Sequence, residues 1–142
     1  REAEHYLGRL SGPLMDRIDI QVQVPTIRYS DLESRSGEES SEAIKKRVCK
    51  ARAIQKERYR GLNIFCNAGL TSAMVREFCK VDDDGKRMLR SAFDRLKLSA
   101  RAHDRILKVA RTIADLEESP VIQAVHIAEA IQYRSLDRTI LA

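Results

Sequence analysis

Residues 98–119, LSARAHDRILKVARTIADLEES, constrain the fold more than any other stretch. Ser99 is a good N-cap ahead of a run of strong helix formers. Ile106, Val109, Ala110, Ile113, Ala114 and Leu116 recur at helical spacing, so one broad face is apolar and needs a covering layer. Arg101, Asp104, Arg105, Lys108, Arg111 and Asp115 line the other face. There Asp104–Lys108 and Arg111–Asp115 read as i,i+4 surface pairs, each contributing about 0.2–0.5 kcal/mol. The first turn carries no acid, and Arg101 occupies its second helical position. A cation there opposes the helix dipole at a cost of about 0.3–1 kcal/mol. An arginine beside exposed N–H groups would suit an anion, phosphate above all. A solvated arginine on a long surface helix is the plain alternative, cheap because salt screens the charge.

The rest of the chain extends this helical reading. Hydrophobic residues make up 43% and charged residues 33% of 142, with aromatics at 5%, no Trp, 6 Gly and 3 Pro. That mix supports a packed core under a highly charged surface and favours helices over a sandwich or barrel. Helices are expected over about 42–60 (capped by Ser40 or Ser41), 72–80, 84–97, the 98–119 stretch closed by Pro120, and 124–133. Their expected inward residues are Ile44, Val48, Ala51, Gln55 and Tyr59; Met74, Val75 and Phe78; Met88, Leu89, Ala92, Phe93 and Leu96; and Ile127, Ala130 and Ile131. Residues 1–10 can form a short helix, and Pro13 opens a turn to Arg17. In residues 18–24, Ile18, Ile20, Val22 and Val24 alternate with Asp19, Gln21 and Gln23, the pattern of a strand stopped by Pro25. A lone strand has nothing to pair with. Together with a first residue that is not Met, it implies a piece of a longer protein. Residues 34–41 read as a polar linker.

Net charge is +5, yet residues 41–60 alone hold eight basic residues against Glu42 and Glu57. Lys45, Arg52, Lys56 and Arg58 in that helix are candidates for tracking a nucleic-acid backbone, weakened by the scarcity of aromatics. A solvated face with some carboxylate pairing is the other reading. Asp82, Asp83 and Asp84 read as an N-cap with dipole-complementing acids rather than a metal site. His5, His103 and His126 lack ligand spacing and read as surface or boundary residues. Cys49, Cys66 and Cys79, an odd set without CxxC, read as reduced core thiols of a cytosolic protein. No apolar run reaches the ~18 residues of a membrane span. GxSxG, HExxH and GxxxxGK[ST] are all missing, so nothing here cradles a triphosphate on its own.

Three segments carry a family resemblance: RLSGPLMDRIDIQVQVP at 9–25, LSARAHDRILKVARTIADLE at 98–117 and HIAEAIQYRSLDR at 126–138. They resemble the C-terminal part of the magnesium-chelatase-like AAA+ ATPases of the ComM/YifB type, in order and spacing, over almost the whole chain. Met15 stands where the family pattern has Leu, and residues 34–41 and 61–70 match loosely. The resemblance implies a mainly α fold. Residues 1–25 would be a helix, turn and strand left from an α/β AAA+ core, 26–40 a linker, and 41–142 a helical lid of about five helices. It implies ATP and Mg2+ as cofactors of the full-length protein, with none bound by this piece alone. It implies an upstream core in the same chain, identical neighbours in a ring, DNA as substrate in recombination or transformation, no membrane, and a bacterial cytoplasm. Arg17 in PLMDRID matches an arginine finger that reaches the neighbouring subunit's nucleotide. A guanidinium there can neutralise charge developing on the γ-phosphate. Pairing of Arg17 with Asp16 or Asp19 is the plainer reading. Arg101 matches the sensor-two arginine of the lid, which would reach the γ-phosphate held by its own subunit's core. A basic nucleic-acid-binding module independent of ATP, or a magnesium-chelatase subunit, are the alternatives.

Overall fold

A computed structural model describes residues 39–134, with residues 14, 17–22, 24–26 and 29. The expected helix over 1–10, most of the 26–40 linker and the tail from 135 lie outside the described residues. From residue 39 to 134 five α-helices follow one another: α1 Ser41–Arg58, α2 Ser72–Phe78, α3 Asp83–Leu96, α4 Ala100–Leu116 and α5 Ala124–Gln132. A single 3-10 turn, Asn67–Gly69, lies between α1 and α2.

Local chemistry sets the helix starts. The side chains of Ser40, Thr71, Asp82 and Ser99 accept hydrogen bonds from the backbone N–H groups of Ala43, Met74, Gly85 and Ala102. Each satisfies a donor that a helix start leaves orphaned. At the start of α3, Gly85 is required by space. A Cβ there would lie 2.6 Å from Val81 Cγ1 and 2.9 Å from Asp82 Oδ1. The triple aspartate is therefore a cap. Asp82 takes the N-cap bond, Asp83 pairs with Lys86 at 2.9 Å, and Asp84 pairs with Arg87. Helices α3 and α4 are each followed by a non-glycine residue in the left-handed region, Lys97 (φ 44°) and Glu118 (φ 57°). The N–H groups of Leu98 and Ser119 reach back to the Phe93 and Ala114 carbonyls, closing both ends in the Schellman manner.

Helix α4 is the hub. It packs against α1, α2, α5 and the 3-10 turn, while α3 leans on α5. Ile106, Ala110 and Ala114 of α4, with Ile122, Ile127 and Ala130, are wholly sequestered, and Leu70, Val75, Tyr59 and Leu89 close the core around them. The Tyr59 ring meets Phe78 edge-on at 5.3 Å. Val81 and Ile122 form one isolated parallel bridge that ties the α2–α3 connection to the α4–α5 connection.

Several expected core positions lie at the surface. The first ten residues of α1 run past the bundle, leaving Ile44 42% and Val48 45% exposed; its buried face begins at Ala51. Met88 and Phe93 of α3 are also exposed. A helical stripe records which residues share a face; whether a neighbour covers that face depends on packing. No strand forms in the described part of residues 18–24, and among the described residues no second strand lies beside it to accept the ladder.

Candidate functional site

The largest departure from the sequence reading is the outer face of α4. Arg111 and Asp115 are each 1% exposed and belong to the interior. Helix α1 and the 3-10 turn cover them, so they are not a surface pair. Asp115 is the centre of a polar network inside the apolar core. Its Oδ1 accepts from Arg58 Nη2 at 2.5 Å and from Arg111 Nε at 3.1 Å. Its Oδ2 accepts from Arg58 Nη1 at 2.9 Å, Asn67 Nδ2 at 2.9 Å and Gln55 Nε2 at 3.2 Å. The other donors of Arg111 go to the carbonyls of Pro120 and Ser119, at 3.0 and 2.5 Å. Tyr59 Oη donates to Asn67 Oδ1 at 2.6 Å, and Asn67 Nδ2 also donates to Thr112 Oγ1 at 2.9 Å. Burial pushes the Asp115 carboxyl up, but hydrogen bonds from Arg58 and Asn67 and the Arg111 and Arg58 charges outweigh it and hold it below its ordinary value. The network joins three elements through one carboxylate, which fixes α1 on α4.

This arrangement sorts the basic residues of α1. Arg58 faces inward and is spent on Asp115, so it leaves the set of candidate phosphate contacts. Arg47 pairs with Glu39 at 2.5 Å, Lys50 with Glu118 at 2.8 Å and Arg60 with Glu57 at 2.5 Å. Lys45, Arg52 and Lys56 are exposed and hold no carboxylate among the described residues. At about 100° per residue these three fall within about 20° of one line along the helix. Arg52 also donates to Gln55 Oε1 at 3.3 Å. For the Cys66 thiol, burial acts upward, but the Arg52 hydrogen bond and the Gly69 and Ala68 N–H groups bring it below its ordinary value. Cys79 is buried, as a core thiol should be, whereas Cys49 is exposed.

Arg101 is the second residue of α4 and is exposed, with no ion pair or hydrogen bond to a described residue. Ser99 caps that turn, and the turn has no acid. Arg17 is exposed and closes a turn through its N–H to the Leu14 carbonyl at 2.9 Å. It does not pair with Asp19, whose carboxylate is held by Arg105 of α4. His103 sits at the boundary, with Nδ1 3.2 Å from Asp104 Oδ1. His126, expected near the surface, is fully buried. Its Nδ1 accepts from the Gln123 N–H at 2.9 Å, which leaves Nε2 carrying the proton toward Glu117 Oε2 at 2.9 Å. It works as a cap for α5. Among the described residues no cluster of His, Cys, Asp or Glu could hold a metal ion, and no helix is long and apolar enough to cross a membrane.

The sequence that builds this bundle is similar to known proteins. The family described as "Magnesium chelatase, subunit ChlI C-terminal" matches residues 38–134, and "Magnesium chelatase, subunit ChlI" matches residues 1–32. The chain therefore belongs to the magnesium-chelatase-like family of the ComM/YifB type, as its C-terminal part. It is 41% identical over 137 residues to YifB of Escherichia coli, covering 96% of this chain and 26% of that protein. It is 40% identical over 134 residues to competence protein ComM of Haemophilus influenzae, covering 94% and 26%. The YifB of Salmonella typhimurium is 39% identical over 137 residues, covering 96% and 26%. The chain thus spans about a quarter of the length of these relatives.

Proposed function

We propose that this chain is the lid of an AAA+ ATPase whose complete form couples ATP binding and hydrolysis to work on DNA, in recombination or transformation. One observation carries the reading. Nearly all of the chain aligns at 40% identity with a protein named for competence. Residues 41–142 would be the lid and residues 1–25 the end of an α/β core, joined by 26–40. In residues 18–24 the apolar alternates Ile18, Ile20, Val22 and Val24 are 38%, 52%, 63% and 78% exposed. A core sheet in the longer protein would cover that row.

ATP with Mg2+ would bind on that core. This chain's contribution would be Arg101, a permanent cation in a helix turn that lacks acids and so suited to a phosphate. Arg17 would act on the nucleotide of the next identical subunit in a ring. The protein would work in a bacterial cytoplasm. The test uses the full-length protein. Arg101→Ala should weaken hydrolysis. Arg17→Ala should retain ATP binding and lose hydrolysis, and mixing in subunits with an intact finger but a dead nucleotide site should restore part of it. Normal hydrolysis by both variants would refute the lid reading, as would ATP turnover by this chain alone.

The line of Lys45, Arg52 and Lys56 favours a second reading, direct contact with nucleic acid by α1. Changing all three to Glu should abolish salt-dependent DNA binding; unchanged binding removes α1 from the interface. A magnesium-chelatase subunit is distinguished by magnesium insertion into a porphyrin, which the DNA reading excludes.

A further inference from the structure

Residues 17–22 are fastened to the bundle at three points. The Asp19 carboxylate pairs with the Arg105 guanidinium of α4. Arg134, buried just beyond α5, donates from Nη1 to the Ile18 carbonyl at 2.9 Å. The Gln21 N–H donates to the Tyr133 carbonyl at 2.8 Å. Asp19 thus engages α4 through its side chain, and Ile18 and Gln21 engage the residues just after α5 through their backbone, while the side chains of Ile18, Ile20 and Val22 remain exposed. The anchors lie next to two residues already singled out. Arg17 directly precedes Ile18 and is two positions before Asp19. Arg101 is one helical turn before Arg105 on α4. Around Arg105 that helix is packed into the core through the buried Ala102 and Ile106.

We propose that Asp19, Arg105 and Arg134 are positioning residues that clamp the Arg17 segment to α4, so that Arg17 and Arg101 move as one body. This rests on the lid reading for what the two arginines touch, whereas the clamp itself rests on the three contacts. A helix carrying a phosphate-contacting arginine would then be joined through one ion pair and one buried arginine to the arginine serving the next subunit. Contiguous packed and hydrogen-bonded groups are one route by which two sites couple, and the test of that coupling is a change at one site read at the other. It would make the finger's placement depend on the position of its own lid.

The test is made in the full-length protein with Asp19→Asn, Arg105→Gln and the exchanged pair Asp19→Arg with Arg105→Asp. Amide exchange of residues 17–22 reads the clamp directly. Each single change should raise it roughly tenfold while thermal unfolding of the bundle stays near the parent value. ATP turnover should fall roughly tenfold in kcat with KM for ATP within about twofold, as expected when a reacting group is held less accurately. The exchanged pair should recover most of both. Unchanged exchange in the single variants overturns the clamp. Raised exchange with unchanged kcat overturns its positioning role and leaves the lid reading standing. If Arg17→Ala and Arg101→Ala also hydrolyse normally, the lid reading falls and the positioning role with it. Should the exchanged pair unfold early, Asp19→Asn alone decides the outcome.

Discussion

Arg58 and Asp115 face each other as a two-pronged pair, with Nη2 2.5 Å from Oδ1 and Nη1 2.9 Å from Oδ2. The carboxylate is fully buried and the guanidinium is mostly so. A bidentate pair of this kind fixes orientation as well as distance. Here it sets the docking of α1 on α4, where few apolar contacts would do so, since only Ala51, Gln55 and Tyr59 of that helix region are buried.

Removing one partner should therefore cost more than the pair itself contributes. Asp115→Ala leaves Arg111 and Arg58 buried without their acceptor. The expected loss is about 3–5 kcal/mol, read as a shift of the urea midpoint with little change in slope. Arg58→Met should cost less than Asp115→Ala, because Arg111 still serves the carboxylate.

Acid should act through the same group. The folded carboxyl of Asp115 lies below its ordinary value of 3.8, so its contribution is complete above about pH 4 and is lost as pH falls through the lower folded value. Stability against urea should drop steeply below pH 4 in the parent and more gently in Asp115→Asn.

Glu118 should be replaceable with profit. It holds φ 57° at the end of α4, a conformation that favours glycine. Its ion pair with Lys50 is more than half exposed at both side chains and contributes little. Glu118→Gly should raise stability by about 0.5–1 kcal/mol, measured by thermal unfolding.

The three cysteines should separate in an alkylation time course. Burial pushes the Cys79 thiol up to about 11, so it should stay unlabelled in the native state at neutral pH. Cys49 is exposed and Cys66 is lowered by its Arg52 and backbone partners despite burial, so both should label first. Arg52→Gln should slow Cys66 and leave Cys49 unchanged.

How far these features could be read beforehand follows from their range. Caps are local, so Ser40, Asp82 and Ser99 were legible as helix starts, and the buried stripe of α4 through Ile106, Ala110 and Ile113 followed from periodicity. Arg111 and Asp115 were not legible as interior residues. Their spacing is identical whether water or α1 lies above them, and the partners of Asp115 in Asn67, Arg58 and Gln55 are 48, 57 and 60 residues away. His126 was missed for a related reason, as the Glu117 beside it belongs to the preceding helix end. For Ile44 and Val48 the pattern recorded a face, and the bundle stops short of it. Resemblance alone gave Arg17 and Arg101 their proposed roles, while the Asp19–Arg105 link that connects their segments joins residues 86 apart.

The outward row of Ile18, Ile20, Val22 and Val24 has one practical consequence. The contacts of Asp19, the Ile18 carbonyl and the Gln21 N–H with the bundle leave these β-branched side chains exposed together. An exposed apolar row of this kind is a ready site for association. Handled on its own, this bundle would carry its own point of self-adhesion, and a lysine at position 20 or 22 is the substitution that would blunt it.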